Sequence, residues 1–360
     1  MRRASVVRIA AVLFAAIGLA PIVRSAEWTF EFRLANRTLV GTPLNWSDAQ
    51  IVLLGRDGQL IPFAPNDARQ YRKVSDAFRS CTPAEMRAQL ASEFGPSFEI
   101  TATTHYLVVH AAGGRNQWAR RFEEIHRAFV HYFSVRGWRV PEPRFPLVAI
   151  VFPSQAQYFA YARGTQMPIS RDVIGYYAPM SNRIAMYDMA SANPNAPISN
   201  IETIIHEAAH QTAFNTGMHD RLRPPPRWLV EGLGTLFEAP GVWDPRNHPS
   251  PSDRINAYRL ERMGRHLPRR ERGALLGMIS GDRLFESDPD AAYAESWAFS
   301  HFLSETRPRQ YIEYLRRTAN RSSEPVDPVD EFRSVFGANL AQLETHYLRF
   351  LQSLIADHGR

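Results

Sequence analysis

Ile204 to Glu238 reads IIHEAAHQTAFNTGMHDRLRPPPRWLVEGLGTLFE. It contains an H-E-x-x-H pattern, His206-Glu207-Ala208-Ala209-His210. On a helix, His206 and His210 are four residues apart and project from one face. Two neutral imidazoles so placed can share one tetrahedral Zn²⁺, with Glu207 beside the open coordination position. A third ligand must come from elsewhere. Glu231 is well placed to supply it, and Glu238 is the rival, two turns further on the same face. The helix has a visible start, because Ser199 and Glu202 fit a capping box, with Asn200 as an alternative cap. It is expected to run to about Asn215, where Gly217 ends it. Pro224-Pro225-Pro226 stiffens the connection, and Pro226 or Arg227 begins the helix that carries Glu231.

Outward from this stretch, composition sets the limits. The chain has 360 residues, 44% hydrophobic and 11% aromatic, which describes a globular protein of one large domain or two unequal ones. Residues 1–25 read as a secretory signal peptide. Arg2 and Arg3 form the charged start, Ile9 to Ala20 the apolar run, and cleavage is expected near Ser25/Ala26. That run is too short to span a bilayer comfortably, and no later stretch is apolar enough to do so. The expected location is therefore secreted or periplasmic, without stable membrane insertion. The net charge is +6; four arginines and no acid lie in residues 1–25, leaving +2 for the mature chain. Lys73 is the only lysine, and no basic stripe is interleaved with aromatics, so nucleic-acid binding is not supported. Cys81 is the one cysteine, which excludes an internal disulfide framework and reads as a small buried hydrophobe.

Upstream, residues 27–64 read as short strands. Trp28 to Arg33 alternates apolar and polar, and Ile51–Leu54 and Gln59–Phe63 flank the turn Arg56-Asp57-Gly58. Residues 26–75 are expected to form a small β module similar to the SH3-like modules that precede enzymes in secreted bacterial proteins. A connector over 76–97 holds a helix from Pro83 to Phe94, capped by Thr82 and stopped by Gly95-Pro96. Phe98 to Val109 reads as a strand or hairpin. Trp118, Phe122, Ile125, Phe129 and Tyr132 make one apolar helix face, on which His126 and His131 read as ordinary helix residues. Leu147–Phe152 is a buried strand, Gln155–Arg163 a helix, and Ile174–Ala178 with Arg183–Met189 a hairpin. This order suggests an α+β fold in which a small mixed sheet packs on the metal-binding helix. Arg183, Ile184, Ala185 and Met186 are the expected substrate-binding strand, at the sheet's edge, where unpaired N–H and C=O groups could take an extended peptide. Beyond Asp253 the pattern is mostly helical.

The rest comes from resemblance. The metzincin continuation would require Gly at position 213 and His at 216; Ala213 and Thr216 exclude it. Glu231 follows His210 by 21 positions, close to the gluzincin spacing of the thermolysin-like enzymes, and Trp228-x-x-Glu231-Gly232 resembles that clan's second helix. Those enzymes hold an imidazole with an Asp four positions after the ligand Glu; here the residue is Thr235, so Thr235 and Glu238 are the candidates for bracing the histidines. Tyr293-Ala-Glu-Ser296-Trp297 resembles the downstream helix in which a Tyr steadies the oxyanion, which makes Tyr293 a candidate catalytic residue and His301 a weaker one. With Phe332-x-x-x-Phe336-Gly337 and the following Leu343-Glu344-x-x-Tyr347, residues 98–360 resemble the bacterial peptidase family called domain of unknown function 1570. The resemblance implies a zincin-like metallopeptidase domain with His206, His210 and Glu231 holding Zn²⁺, and Glu207 as general base on a peptide or protein substrate. Two other readings stay open: a non-catalytic exported binding protein on a metal-stabilised fold, and a zinc amidase acting on cell-wall peptides. A structural zinc site has no need of Glu207, which argues against the first.

Overall fold

The computed structural model describes residues 28–35, 37–113, 117–189, 201–321 and 326–358; the expected leader and the capping residues Ser199 and Asn200 lie outside them. Two five-stranded sheets come first and helices follow, so the chain is α+β. It forms two compact units, residues 1–123 with 142–207 and residues 124–141 with 208–360. Among the described residues no helix is long and apolar enough to cross a membrane.

The first sheet holds β1 (Thr29–Leu34), β2 (Arg37–Trp46), β3 (Ile51–Gly55), β4 (Leu60–Phe63) and β5 (Ala68–Ser75), in the antiparallel order β4-β3-β2-β1-β5. Alternation puts Phe30, Phe32 and Leu34 on one face of β1. Phe32 packs there with Ile51, Leu53 and Phe63. Two of these strands carry no alternation in sequence. β2 is interrupted by Gly41 and by a register shift between Pro43 and Asn45. β5 is an edge strand whose residues from Arg69 onward are all exposed, so it carries no apolar face.

Helix α1 (Pro83–Phe94) follows, and its start is a true capping box: Thr82 Oγ1 accepts from Glu85 N–H at 3.2 Å while Glu85 Oε2 accepts from Thr82 N–H at 2.7 Å. The second sheet holds β6 (Phe98–Ala102), β7 (Tyr106–Ala111), β8 (Leu147–Phe152), β9 (Gly175–Ala178) and β10 (Arg183–Tyr187), in the order β6-β7-β8-β10-β9. Helix α2 (Gln117–Ser134) lies between β7 and β8 in the chain, and α3 (Gln155–Gly164) follows β8. β8 is buried at all six positions, as a central strand with parallel neighbours on both sides must be. One expectation is overturned. β10 is not the edge: it pairs in parallel with β8 and antiparallel with β9, so the edge falls to β9. The second strand of the hairpin inserts beside β8, a choice that local alternation cannot reveal. Ile184, Ala185 and Met186 are therefore core residues, and Arg183 is tied to Glu93 at 2.7 Å.

The two sheets are joined within the first unit. Leu60 N–H donates to Met180 O and Cys81 N–H to Arg56 O, each at 2.7 Å, and Arg56 pairs with Glu85 at 2.9 Å. Cys81 is buried and free.

Next come α4 (Ile201–Asn215) and α5 (Arg227–Phe237), then α6 (Pro240–Trp243), α7 (Ala257–His266), α8 (Ala274–Ser280), α9 (Arg283–Ser287), α10 (Pro289–Thr306), α11 (Pro308–Ala319), α12 (Pro328–Phe336) and α13 (Leu340–His358). Trp228 anchors the second unit's core, with Phe299 at 5.2 Å, Tyr314 stacked at 6.0 Å and Phe332 edge-on at 6.1 Å.

Candidate metal centre

From Thr203 to Ala213 every residue of α4 is buried, polar side chains included. A helix buried all round with His206, Glu207 and His210 in it needs partners for those groups. His206 and His210 stand one turn apart on this continuous helix. His210 Nε2 lies 3.4 Å from Glu231 Oε2, both side chains being wholly buried. One ligand atom from each of His206, His210 and Glu231 lies within 4.8 Å of the other two.

The donor set fits zinc. With metal–ligand bonds of about 2.1 Å, tetrahedral ligand atoms sit about 3.4 Å apart. The observed separation of His210 and Glu231 is 3.4 Å, and the three ligand atoms need only small adjustment to close around one ion. Two imidazoles and one carboxylate also match a site that keeps its fourth position open.

Glu207 is held from the sheet. Its Oε2 accepts the backbone N–H of Tyr177 at 2.7 Å. Tyr177 lies on the edge strand β9, and its own hydroxyl donates to Asn182 Oδ1 at 2.9 Å. Sequence reasoning missed this donor because a main-chain N–H has no residue signature. Gly175, two residues earlier, lets the strand and helix approach: a Cβ there would lie 2.9 Å from Thr203 Cγ2.

The other candidates fall in different places. Thr235 is fully buried, and its hydroxyl donates to Glu231 O at 2.7 Å and Gly232 O at 3.1 Å, so it braces its own helix. Glu238 accepts from Asn256 Nδ2 at 2.7 Å and from Arg259 at 3.2 and 3.3 Å. Tyr293 is buried on α10, its ring edge-on to Phe285 at 5.6 Å with the Arg259 guanidinium 5.2 Å from its centroid. His301 lies two turns beyond, about 12 Å along the helix. It stacks on Trp297 at 5.4 Å, and burial pushes its pKa down to about 4, so it is a neutral core residue.

Two features were not legible beforehand. Gly232 and Gly234 within α5 suggest a close approach of another helix; at Gly232 that helix is α10, where a Cβ would meet Ser300 Oγ at 2.1 Å and Ser296 O at 2.6 Å. His219 is buried near His210, and its Nδ1 meets Met218 O at 2.9 Å. Burial, then the charge of His210, lowers its pKa to about 3, so this imidazole is neutral.

These features define a class: an α+β chain with a buried two-histidine, one-carboxylate cluster and a glutamate fixed beside it. Residues 200–327 match the family described as Protein of unknown function (DUF1570), a stretch that includes α4, α5 and α10 and so Glu207, the three ligand candidates and Tyr293. No curated protein matches the chain.

Proposed function

We propose that this chain is an exported zinc metallopeptidase of the gluzincin type, on a zincin-like fold, hydrolysing peptide bonds with Glu207 as general base. The observation that carries the reading is the mutual approach of His206, His210 and Glu231 within 4.8 Å, with Glu207 adjacent on the same helix. Export rests on the leader-like residues 1–25.

His206, His210 and Glu231 would hold the ion. When bound, zinc supplies Lewis acidity, lowering the pKa of a coordinated water toward about 7 and drawing charge from a carbonyl oxygen. The protein does the rest. Tyr177 N–H fixes one oxygen of Glu207, which leaves the carboxylate poised to take a proton and later give it to the leaving amine. Tyr293, on α10, is the candidate donor to the oxyanion.

The test uses the mature chain. Metal is measured in wild type, Glu207→Gln and His206→Ala, and each is incubated with a mixed peptide library read by mass spectrometry. The reading expects one zinc per chain in wild type and Glu207→Gln, with cleavage lost by a factor of about 10²–10⁴ in the latter. Equal zinc content in wild type and His206→Ala would sink the site. Zinc retained with no peptide cleaved would turn the assignment toward a binding protein.

A further inference from the structure

Arg227 opens α5 one helical turn before Glu231, so the two side chains share one face of that helix. Its guanidinium lies over the Phe285 ring, 4.2 Å from the centroid, and Phe285 in turn meets Tyr293. Asp282 lies near the same group without pairing with it. Its carboxyl pKa is raised, chiefly by burial, with the Arg227 charge opposing and Glu286 and then Glu231 adding to the rise. Arg227, Phe285 and Tyr293 thus form one run of contacts within the second unit, with Asp282 near enough to feel the charges of Arg227 and Glu231.

The guanidinium is placed, its side chain half-buried, and one of its donors is unsatisfied. Its Nε is buried without a hydrogen-bond partner, and among the described residues Arg227 makes no ion pair. Stacking on Phe285 uses the flat face of the group, and the N–H fork along its edge stays available. A buried donor without an acceptor is costly, and an acceptor supplied from outside would relieve it. The nearby anions do not meet the need. Asp282 is not within ion-pairing distance, and Glu231 is the metal-ligand candidate whose charge an ion would take up. What the fork fits is a planar carboxylate from outside.

We propose that Arg227 receives a carboxylate of the substrate and thereby sets the site's preference. This rests on the metallopeptidase reading. The carboxylate can be a free C-terminus or an acidic side chain, and the two are separable by experiment.

Binding is measured in the zinc-loaded Glu207→Gln protein, so that peptides are not consumed. Four fluorescent hexapeptide pools are used: neutral with a free C-terminus, neutral and amidated, Glu-containing and amidated, and Gln-containing and amidated. The expected result is at least tenfold tighter binding of one carboxylate-bearing pool than of its amide counterpart. Arg227→Gln abolishes the preference, and Arg227→Lys, which keeps the charge without the fork, retains only part. Unchanged zinc content and melting temperature in both variants show that the fold and ion are intact. Equal binding of all pools, no binding of any, or a preference that survives Arg227→Gln would overturn the proposal. Cleavage of the same pools by wild type, followed in parallel, separates that failure from failure of the peptidase reading.

Discussion

Gly232→Ala tests how closely α5 is held against α10. Alanine is the better helix former, by about 1 kcal/mol in an open helix. Here the new methyl would sit 2.1 Å from Ser300 Oγ and 2.6 Å from Ser296 O. The hydroxyl can rotate away, but the carbonyl belongs to the backbone of α10. Reaching an ordinary C···O approach of about 3.3 Å requires the helices to part by roughly 0.7 Å. Overpacking of this kind costs about 1–3 kcal/mol, and the parting also loosens Trp228 against Phe299. The net loss after the propensity gain is up to about 2 kcal/mol, a fall in melting temperature of up to roughly 8 °C for a unit of this size. Glu231 is the neighbouring residue, and a 0.7 Å shift is about a third of a zinc–oxygen bond, so zinc affinity should drop at least tenfold. Differential scanning calorimetry and competition with a metal chelator measure both. Adding Ser300→Ala relieves only the hydroxyl and should restore part of the loss. A rise in melting temperature with unchanged zinc affinity would refute the packing argument.

Two further outcomes follow. Saturating zinc should raise the melting temperature, and a chelator should reverse it; at a thousandfold excess over Kd the stabilisation is about 4 kcal/mol, and it should be absent in Glu231→Gln, which calorimetry would show. Glu123 predicts an acid-sensitive window: burial would raise its pKa, but hydrogen bonds from the Thr103 hydroxyl, the His105 ring and the His105 N–H outweigh it and hold the carboxyl at about 2. Its folded pKa lies below the unfolded value of about 4.3, so its contribution is full above that pH and fades as pH falls toward 2. Urea midpoints measured across pH 2 to 5 should fall steeply for wild type and less steeply for Glu123→Gln; parallel curves would remove Glu123 from that role.

What was readable in the sequence was local. Thr82 with Glu85, the apolar face from Trp118 to Tyr132, and the continuous run Leu147–Phe152 each announce their element within a few residues, and each forms where expected. Helix caps and burial periods act over one turn or one strand. Non-local pairing was not readable. β10 could be recognised as a strand, yet whether β9 or β10 took the edge depended on which of them met β8, some thirty residues earlier. β5 escaped because a strand exposed on both faces has no reason to alternate. The site divides in the same way. His206 and His210 follow from helical spacing, whereas the structural surroundings of Thr235, Glu238 and Gly232 come from α5, α7 and α10 and needed the fold.

The least legible part of the site bears most directly on its chemistry. The proposed general-base role asks Glu207 to present one oxygen consistently, and a freely turning Glu in a buried helix would not. The Tyr177 N–H supplies the restraint, and it can do so only because β9 is the edge strand: on an interior strand that N–H would be spent on the ladder. The strand must also run close to α4. Gly175 allows this, since any side chain there would meet Thr203, one turn before Glu207. The placement of the hairpin therefore does more than cover the helix. By giving β10 the interior position, the sheet leaves β9 with outward main-chain donors, and one of them orients the residue beside the histidines. The edge of β9 is thus already taken up by α4: its outward donor at Tyr177 serves Glu207, and Gly175 gives the room for the helix to lie there.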